Sequence, residues 1–345
     1  MDRPGIVHAC TAAALEAGRR IRETVHGMHP LERGRASTSI LKPTAGYGAR
    51  RVDAAAEDVG IVHLERLSRD IGLPIDLLVD PRNGTAHRIG RGGPPVVWAC
   101  MDAIDGTVKV AGLGEPSSSR VRVANDGGWA AAFAFTAPTD KRLEDLVIAD
   151  FTVAIVVDGN PTTYRSYPQD LVARPGKRGL ETVEVTDGVE RRVFTGSSTT
   201  LGQSFVFLDV FQAYDHATRR EGDEALGVAL YRLLTDRHGG GAFDVLRQYA
   251  NLSALPRVLL GWREAPVWIE SQGAAYLVVN ENLANLIPAV PLVAGAGGIS
   301  VDFAGRPLGL RRLVDGRTSI VHAANEPICR QVLALIASAQ PTAAT

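Results

Sequence analysis

Apolar residues recur at helical spacing over residues 5–26, at Ile6, Val7, Ala13, Leu15, Ala17, Ile21 and Val25, and Gly27 and Pro30 end the pattern. This predicts an amphipathic opening helix. Residues 50–72 repeat the period with Val52, Ala55, Val59, Val62 and Leu67 near one face, and Gly72 and Pro74 stop the helix. The polar, glycine-containing stretch 37–49 between them reads as a loop. Two short apolar runs follow, "IDLLVD" (75–80) and "PVVWACMD" (95–102). Each predicts a buried strand, and the turn-rich "PRNGTAHRIGRGG" predicts a long connection between them.

Residues 129–165 alternate like sheet, with Asp158-Gly159 as the expected hairpin turn. Residues 166–200 are polar and weakly patterned, and no element is assigned there. Residues 204–236 combine an apolar start with a helix, and 273–280 read as a strand. "ENLANLIPAVPLVAGAGG" predicts a helix ending in a glycine turn, "ISVDFAGRPLG" a strand and turn, and 326–339 a closing helix. The stretch 103–128, rich in Gly, Ser and Arg, reads as an exposed loop. No internal repeat or heptad pattern is present.

Composition alters this picture little. The 345 residues are 45% hydrophobic and 22% charged, an ordinary globular mixture. A net charge of −1 gives no bulk electrostatic reason to expect a nucleic-acid or membrane partner. Cys10, Cys100 and Cys329 are odd in number and far apart, so they read as reduced thiols of a cytoplasmic protein. The N-terminal residues lack the pattern of a signal peptide, and no apolar run reaches the roughly 18 residues needed to cross a bilayer.

The candidate chemistry lies in "VVWACMDAIDGTVKV" (96–110). A strand is expected to end at Asp102, and a turn through Ala103 and Ile104 to deliver Asp105. Two carboxylates this close repel unless a cation lies between them. Oxygen-only donors favour a hard cation such as Mg²⁺. Backbone N–H groups after Asp105, with the Thr107 hydroxyl, would seat a phosphate if a helix or nest begins there. A bare D-x-x-D-G is also an ordinary turn-and-cap pattern.

"WACMDAIDGT" resembles the W-x-x-D-P-[IL]-D-G-T signature of the inositol monophosphatase superfamily, with Ala103 in place of the usual Pro. Two further regions agree in order. "RRVDAAAEDVGIVHLERL" is similar to the family's upstream T-x-x-D-x-x-x-E helix at Asp53 and Glu57. "LVAGAGGISVDFAGRPL" is similar to its downstream E-A-G-G turn and D-x-x-G-x-P-L strand. The resemblance implies an α/β/α/β/α layered sandwich and Mg²⁺-dependent hydrolysis of a small phosphorylated polyol, sugar or nucleoside. It implies that Asp102 bridges two metals, that Asp105 holds the second, and that the Ile104 carbonyl contacts the first. Gly106 and Thr107 would bind phosphate through their amides, and Asp53 with Thr107 would orient the attacking water. It also implies a homodimer. Residues 1–200 are expected to form an N-terminal half carrying D-x-x-D-G-T, and 201–345 a C-terminal half packed against it.

The chain departs from the family at two ligand positions. The family's Gly-Glu-Glu is missing, and Asp80 is the only acid at the matching strand end. The Asp of the family's W-D-x-A-A falls on Asn285, a neutral oxygen donor. Glu281, one turn earlier, could substitute, or could be a solvated acid at the helix start. Gly295 replaces the Glu of E-A-G-G. Lys109 could meet a second anionic group, and Arg247 and Ser253 lie where the family has a substrate-side segment. These departures support an alternative: a catalytically impaired member that binds a phosphorylated ligand or a partner protein. The histidines have no zinc-site spacing, and no P-loop, dinucleotide fingerprint or G-x-S-x-G elbow occurs.

Overall fold

A computed structural model describes residues 1–35, 37, 50–80, 85–106, 110, 128–160, 169–201, 205–209, 223–238, 243–244, 259–261, 273–281 and 283–339. In chain order the elements begin with α1 (Arg3–Gly27), α2 (Pro30–Arg33) and α3 (Arg51–Ile71). Eight strands follow: β1 (Ile75–Asp80), β2 (Thr85–Ile89), β3 (Val97–Asp105), β4 (Ala130–Thr136), β5 (Phe151–Asp158), β6 (Leu171–Gly176), β7 (Gly179–Thr186) and β8 (Val189–Arg192). After β9 (Phe194–Thr195) and β10 (Phe205–Asp209) come α4 (Asp223–His238), β11 (Phe243–Asp244), β12 (Leu260–Gly261) and β13 (Gly273–Glu281). The chain continues with α5 (Leu283–Gly295), β14 (Ile299–Asp302), β15 (Thr318–Ala323) and α6 (Glu326–Ala339).

The first sheet has the order β2-β1-β3-β4-β5-β6-β7-β8, and only its β1–β3 pair is parallel. The second has the order β11-β10-β13-β15-β14. The described strands of the first sheet precede residue 200, and those of the second follow it.

Three apolar clusters define five layers. The outermost joins α1 and α3 to one face of the first sheet. The central cluster joins the other face of that sheet, α5, and one face of the second sheet. The last joins the second sheet to α4 and α6. The order is therefore α/β/α/β/α, the sandwich expected from the sequence.

Side chains explain the layering. All of β4 is buried, as a strand covered on both faces must be. Its Phe133 and Phe135 face α1 and α3, while Ala130, Ala132 and Ala134 face α5. Those small residues let a helix lie close across the sheet. α5 carries almost no polar side chain in "LIPAVPLVAG", which suits a helix sandwiched between two sheets. Its C-terminal end is tied to the far side of the first sheet. The Thr182 hydroxyl donates to the Leu292 carbonyl at 2.8 Å, and Arg192 donates to the Gly295 carbonyl at 3.1 Å. The helix also touches β3, so its N-terminal end is the one that reaches that strand.

Three sequence expectations are corrected. β3 does not stop at Asp102 but continues to Asp105. The connection 81–93 contains β2, an exposed edge strand whose antiparallel pairing with β1 supplies order that its polar sequence does not advertise. The stretch 166–200 contains the antiparallel run β6-β7-β8, whose outer strands carry polar side chains in cross-strand ion pairs such as Arg174–Glu190. "TSIVHA", to which the sequence pattern assigned no element, forms β15, an internal strand of the second sheet. The loop 38–49 and most of 103–128 lie outside the described residues.

Candidate metal and phosphate site

Residues three apart in a regular strand point to opposite faces. Asp102 and Asp105 escape that rule through a β-bulge. Asp102 pairs with Ala132 and Asp105 with Ala130, so Ala103 and Ile104 together oppose the single residue Ala131. Directly opposed residues share a face. Ala130 and Ala132 belong to the central cluster, and Ala131 belongs to the outer one along with Ala103 and Ile104. Both aspartates therefore face the α5 layer. Asp105 is 6% exposed and Asp102 is half-buried, its Oδ1 accepting the Ile104 N–H at 3.2 Å. Burial pushes the Cys100 thiol pKa up on this same face, and the Asp102 charge adds to the effect.

Gly106 follows at φ +105°, a conformation that favours glycine over any side chain. Its carbonyl accepts the Val110 N–H at 3.2 Å, an i→i+4 bond of helical type. Thr107 and Lys109 lie outside the described residues, as do Arg247 and Ser253.

Asp53 occupies the third position of α3, where its Oδ2 accepts the Arg50 N–H at 2.8 Å. It is 2% exposed, and Glu57, one turn on along the same face, is 3% exposed. Gly60 lies against Met101 and Phe133, where an added Cβ would collide with the Met101 sulfur. The Pro74 carbonyl, just beyond the C-terminal end of α3, accepts the Val97 N–H at the start of β3, so α3 runs antiparallel to β3, and Asp53 lies roughly 10 Å of helix nearer its N-terminus than Gly60. That puts the first turn of α3 level with the C-terminal end of β3. β1 is parallel to β3, so Asp80, its last residue, sits at the same end of the sheet. The C-terminal ends of parallel strands are the usual place for a ligand in α/β proteins.

Asn285 lies in the first turn of α5, and its Nδ2 donates to Glu281 Oε1 at 3.1 Å. Glu281 is not the solvated helix acid the sequence allowed. It ends β13 and is 1% exposed. A second bulge explains this: Val278 pairs with Ile320 and Glu281 with Thr318, which returns the carboxylate to the α5 face. Gly295 also acquires a reason. A Cβ there would stand 2.8 Å from the backbone carbon of Glu181 and 2.9 Å from the Thr182 nitrogen, so β7 excludes a glutamate at this position.

The carboxylates of Asp102, Asp105 and Glu281, which face the α5 layer, are oxygen donors, and oxygen suits a hard divalent cation better than zinc. Among the described residues no three His, Cys, Asp or Glu side chains converge on a metal position. The buried Glu57 and Glu281 are the acids that sequence reasoning underweighted, because neither bulge pairing nor layer position is written in local patterning.

No known protein-family model matches the chain, and no curated protein matches it in sequence. Solved structures do match. Inositol monophosphatase from Anabaena (Nostoc) superposes with a TM-score of 0.57 at 15% identity, over 98% of this chain and 99% of its own. Extragenic suppressor protein suhB from Bartonella henselae gives 0.57 at 14%, over 94% and 97%. Fructose-1,6-bisphosphatase from Leishmania major gives 0.63 at 10%, over 98% and 95%. The chain therefore shares the fold of these proteins, at 10–15% sequence identity.

Proposed function

We propose that the chain is a divalent-cation-dependent phosphomonoester hydrolase acting on a small phosphorylated polyol, sugar or nucleoside. The observation that carries this reading is the β3 bulge. It costs the strand its regular ladder and gains two same-face carboxylates directly before a positive-φ glycine whose carbonyl accepts the Val110 N–H. Asp102, Asp105 and the Ile104 carbonyl would hold Mg²⁺, with Asp80 at the neighbouring strand end. Asn285 enters through Glu281, whose carboxylate its amide holds. When bound, the cation supplies positive charge against the phosphate oxygens. The Gly106 and Thr107 amides would hold the phosphate. Asp53 and Thr107 would orient the water that attacks phosphorus in line as the ester bond breaks. Lys109, Arg247 and Ser253 would face the organic part of the substrate. The neighbours' names support a phosphatase role.

A second reading, binding of a phosphorylated ligand without hydrolysis, is favoured by the neutral Asn285 and by the absence of room for an acid at Gly295. A phosphate-release screen over sugar, inositol and nucleoside phosphates with Mg²⁺ separates the two. Release supports hydrolysis. Saturable calorimetric binding of phosphate esters without release supports the second. A cytoplasmic homodimer belongs to the same proposal, and light scattering after size exclusion tests the dimer.

A further inference from the structure

Glu281, Asn285 and His322 meet around a small cavity between β13, β15 and the head of α5, against apolar walls that include Val278, Leu286 and Ile320. The cavity has room for about one water molecule. Its polar atoms are not yet matched. An ionised Glu281 only accepts, so the Asn285 amide must turn Nδ2 toward it, and this bond is present. Oδ1 then points the other way. It is buried and has no protein partner among the described residues. A buried carbonyl oxygen of this kind calls for a donor.

Tyr276 and His322 are the other residues of the cavity wall with polar atoms; Tyr276 is 1% exposed and His322, its cross-strand partner, 2%. The His322 Nδ1 lies 2.7 Å from Ser300 Oγ. Burial pushes its pKa down to about 4, so the ring is neutral and has one donor and one acceptor nitrogen. When the Ser300 hydroxyl donates to Nδ1, the proton sits on Nε2.

We propose that His322 is a positioning residue: Nε2–H donates to a buried water, which donates to Asn285 Oδ1 and so fixes the Asn285 amide and, through it, the Glu281 carboxylate. The chain Ser300–His322–water–Asn285–Glu281 joins the second sheet to the helix end that reaches β3. It commits both ends of the Asn285 amide and so holds the Glu281 carboxylate in place at the head of α5. Its consequence for catalysis rests on the phosphohydrolase reading, but its geometry does not.

Nuclear magnetic resonance of ¹⁵N-histidine-labelled protein, with His322 assigned through His322→Gln, tests the geometry. The expected result is a neutral Nε2–H tautomer in slow exchange with a cross-peak to a long-lived water. In His322→Phe the Asn285 side-chain amide should shift and lose its exchange protection. In His322→Gln, whose amide can donate in place of Nε2–H, that protection should return. An Nδ1–H tautomer with no water cross-peak in the wild type overturns the proposal, and that reading needs no variant to fold. So does an Asn285 amide unmoved by His322→Phe. In turnover assays, His322→Phe should raise the Mg²⁺ concentration for half-maximal rate severalfold, and His322→Gln should restore it. A wild type that releases no phosphate defeats the hydrolase reading alone, and the resonance result still decides the positioning.

Discussion

Replacing Asp102 by Asn removes one charge from the pair that the β3 bulge assembles. The shape is preserved, and Oδ1 can still accept the Ile104 N–H now bonded at 3.2 Å. The opposing residues Ala130 and Ala132 are two positions apart, so the paired aspartates stand about 7 Å apart along the strand. Two unit charges at that distance repel by about 2.4 kcal/mol at an effective dielectric of about 20, and by about 0.6 kcal/mol in water. Asp105 is buried and Asp102 half-buried, so relief of about 1–2 kcal/mol is expected without divalent cation. Unfolding entropy for 345 residues is about 0.7 kcal/mol per degree, which converts this to a rise of roughly 1.5–3 °C in Tm. In the wild type, Mg²⁺ at ten times its dissociation constant should add about 1.4 kcal/mol, or about 2 °C, and the variant should lose that response. Scanning calorimetry in chelator and in Mg²⁺ with phosphate reads both effects. A variant less stable than wild type in chelator, with an unchanged Mg²⁺ response, would refute the same-face pair as a cation site.

Asn285→Asp should place a carboxylate against Glu281 in place of the present donor, costing about 1.5–3 kcal/mol in chelator, with recovery in Mg²⁺ seen as a Tm shift. Gly295→Ala should destabilise by about 1–3 kcal/mol, because its Cβ meets the β7 backbone, which cannot turn aside as a side chain can; denaturant titration measures it. Burial lowers the pKa of His322 in the folded protein to about 4 from the ordinary 6.5, so the unfolded chain binds the proton more tightly. The stability this contributes is present above pH 6.5 and is lost as pH falls toward 4, by about 3 kcal/mol; His322→Gln should flatten that part of the stability–pH curve. Burial raises the thiol pKa of Cys10 to about 12 and raises those of Cys100 and Cys329, so a thiol reagent at pH 8 should titrate three thiols in denaturant and almost none in the native protein.

The sequence revealed elements whose pattern is local. The two long helices show a 3.6-residue period and a glycine stop: Gly72 sits at φ +70° as the C-cap of α3. The closing helix spans Glu326–Ala339, the expected range. The sandwich was legible because the Asp53, Asp102–Asp105 and Asp302–Leu308 motifs occur in order. What was not legible depends on partners distant in the chain. β2 and β8 are polar edge strands ordered by one neighbour each. β15 is buried, but its "TSIVHA" is short and carries a histidine. The two bulges are invisible in the sequence, because nothing in "DAID" or "VVNE" says that two residues will oppose one. They decide the site, since each turns a carboxylate toward the same central layer. Gly295 was read as a lost acid and is explained by its closeness to β7, residues about a hundred positions away.

The central claim is that the β3 carboxylate pair supports cation-dependent hydrolysis of a phosphate monoester. The most direct measurement is inorganic phosphate released from a panel of inositol, sugar and nucleoside monophosphates by the wild type and by Asp102→Asn. Each assay is run in Mg²⁺ and in chelator. The account predicts release by the wild type in Mg²⁺ from at least one ester, and none in chelator or from the variant. Equal release with chelator, or a variant as active as the wild type, would contradict it.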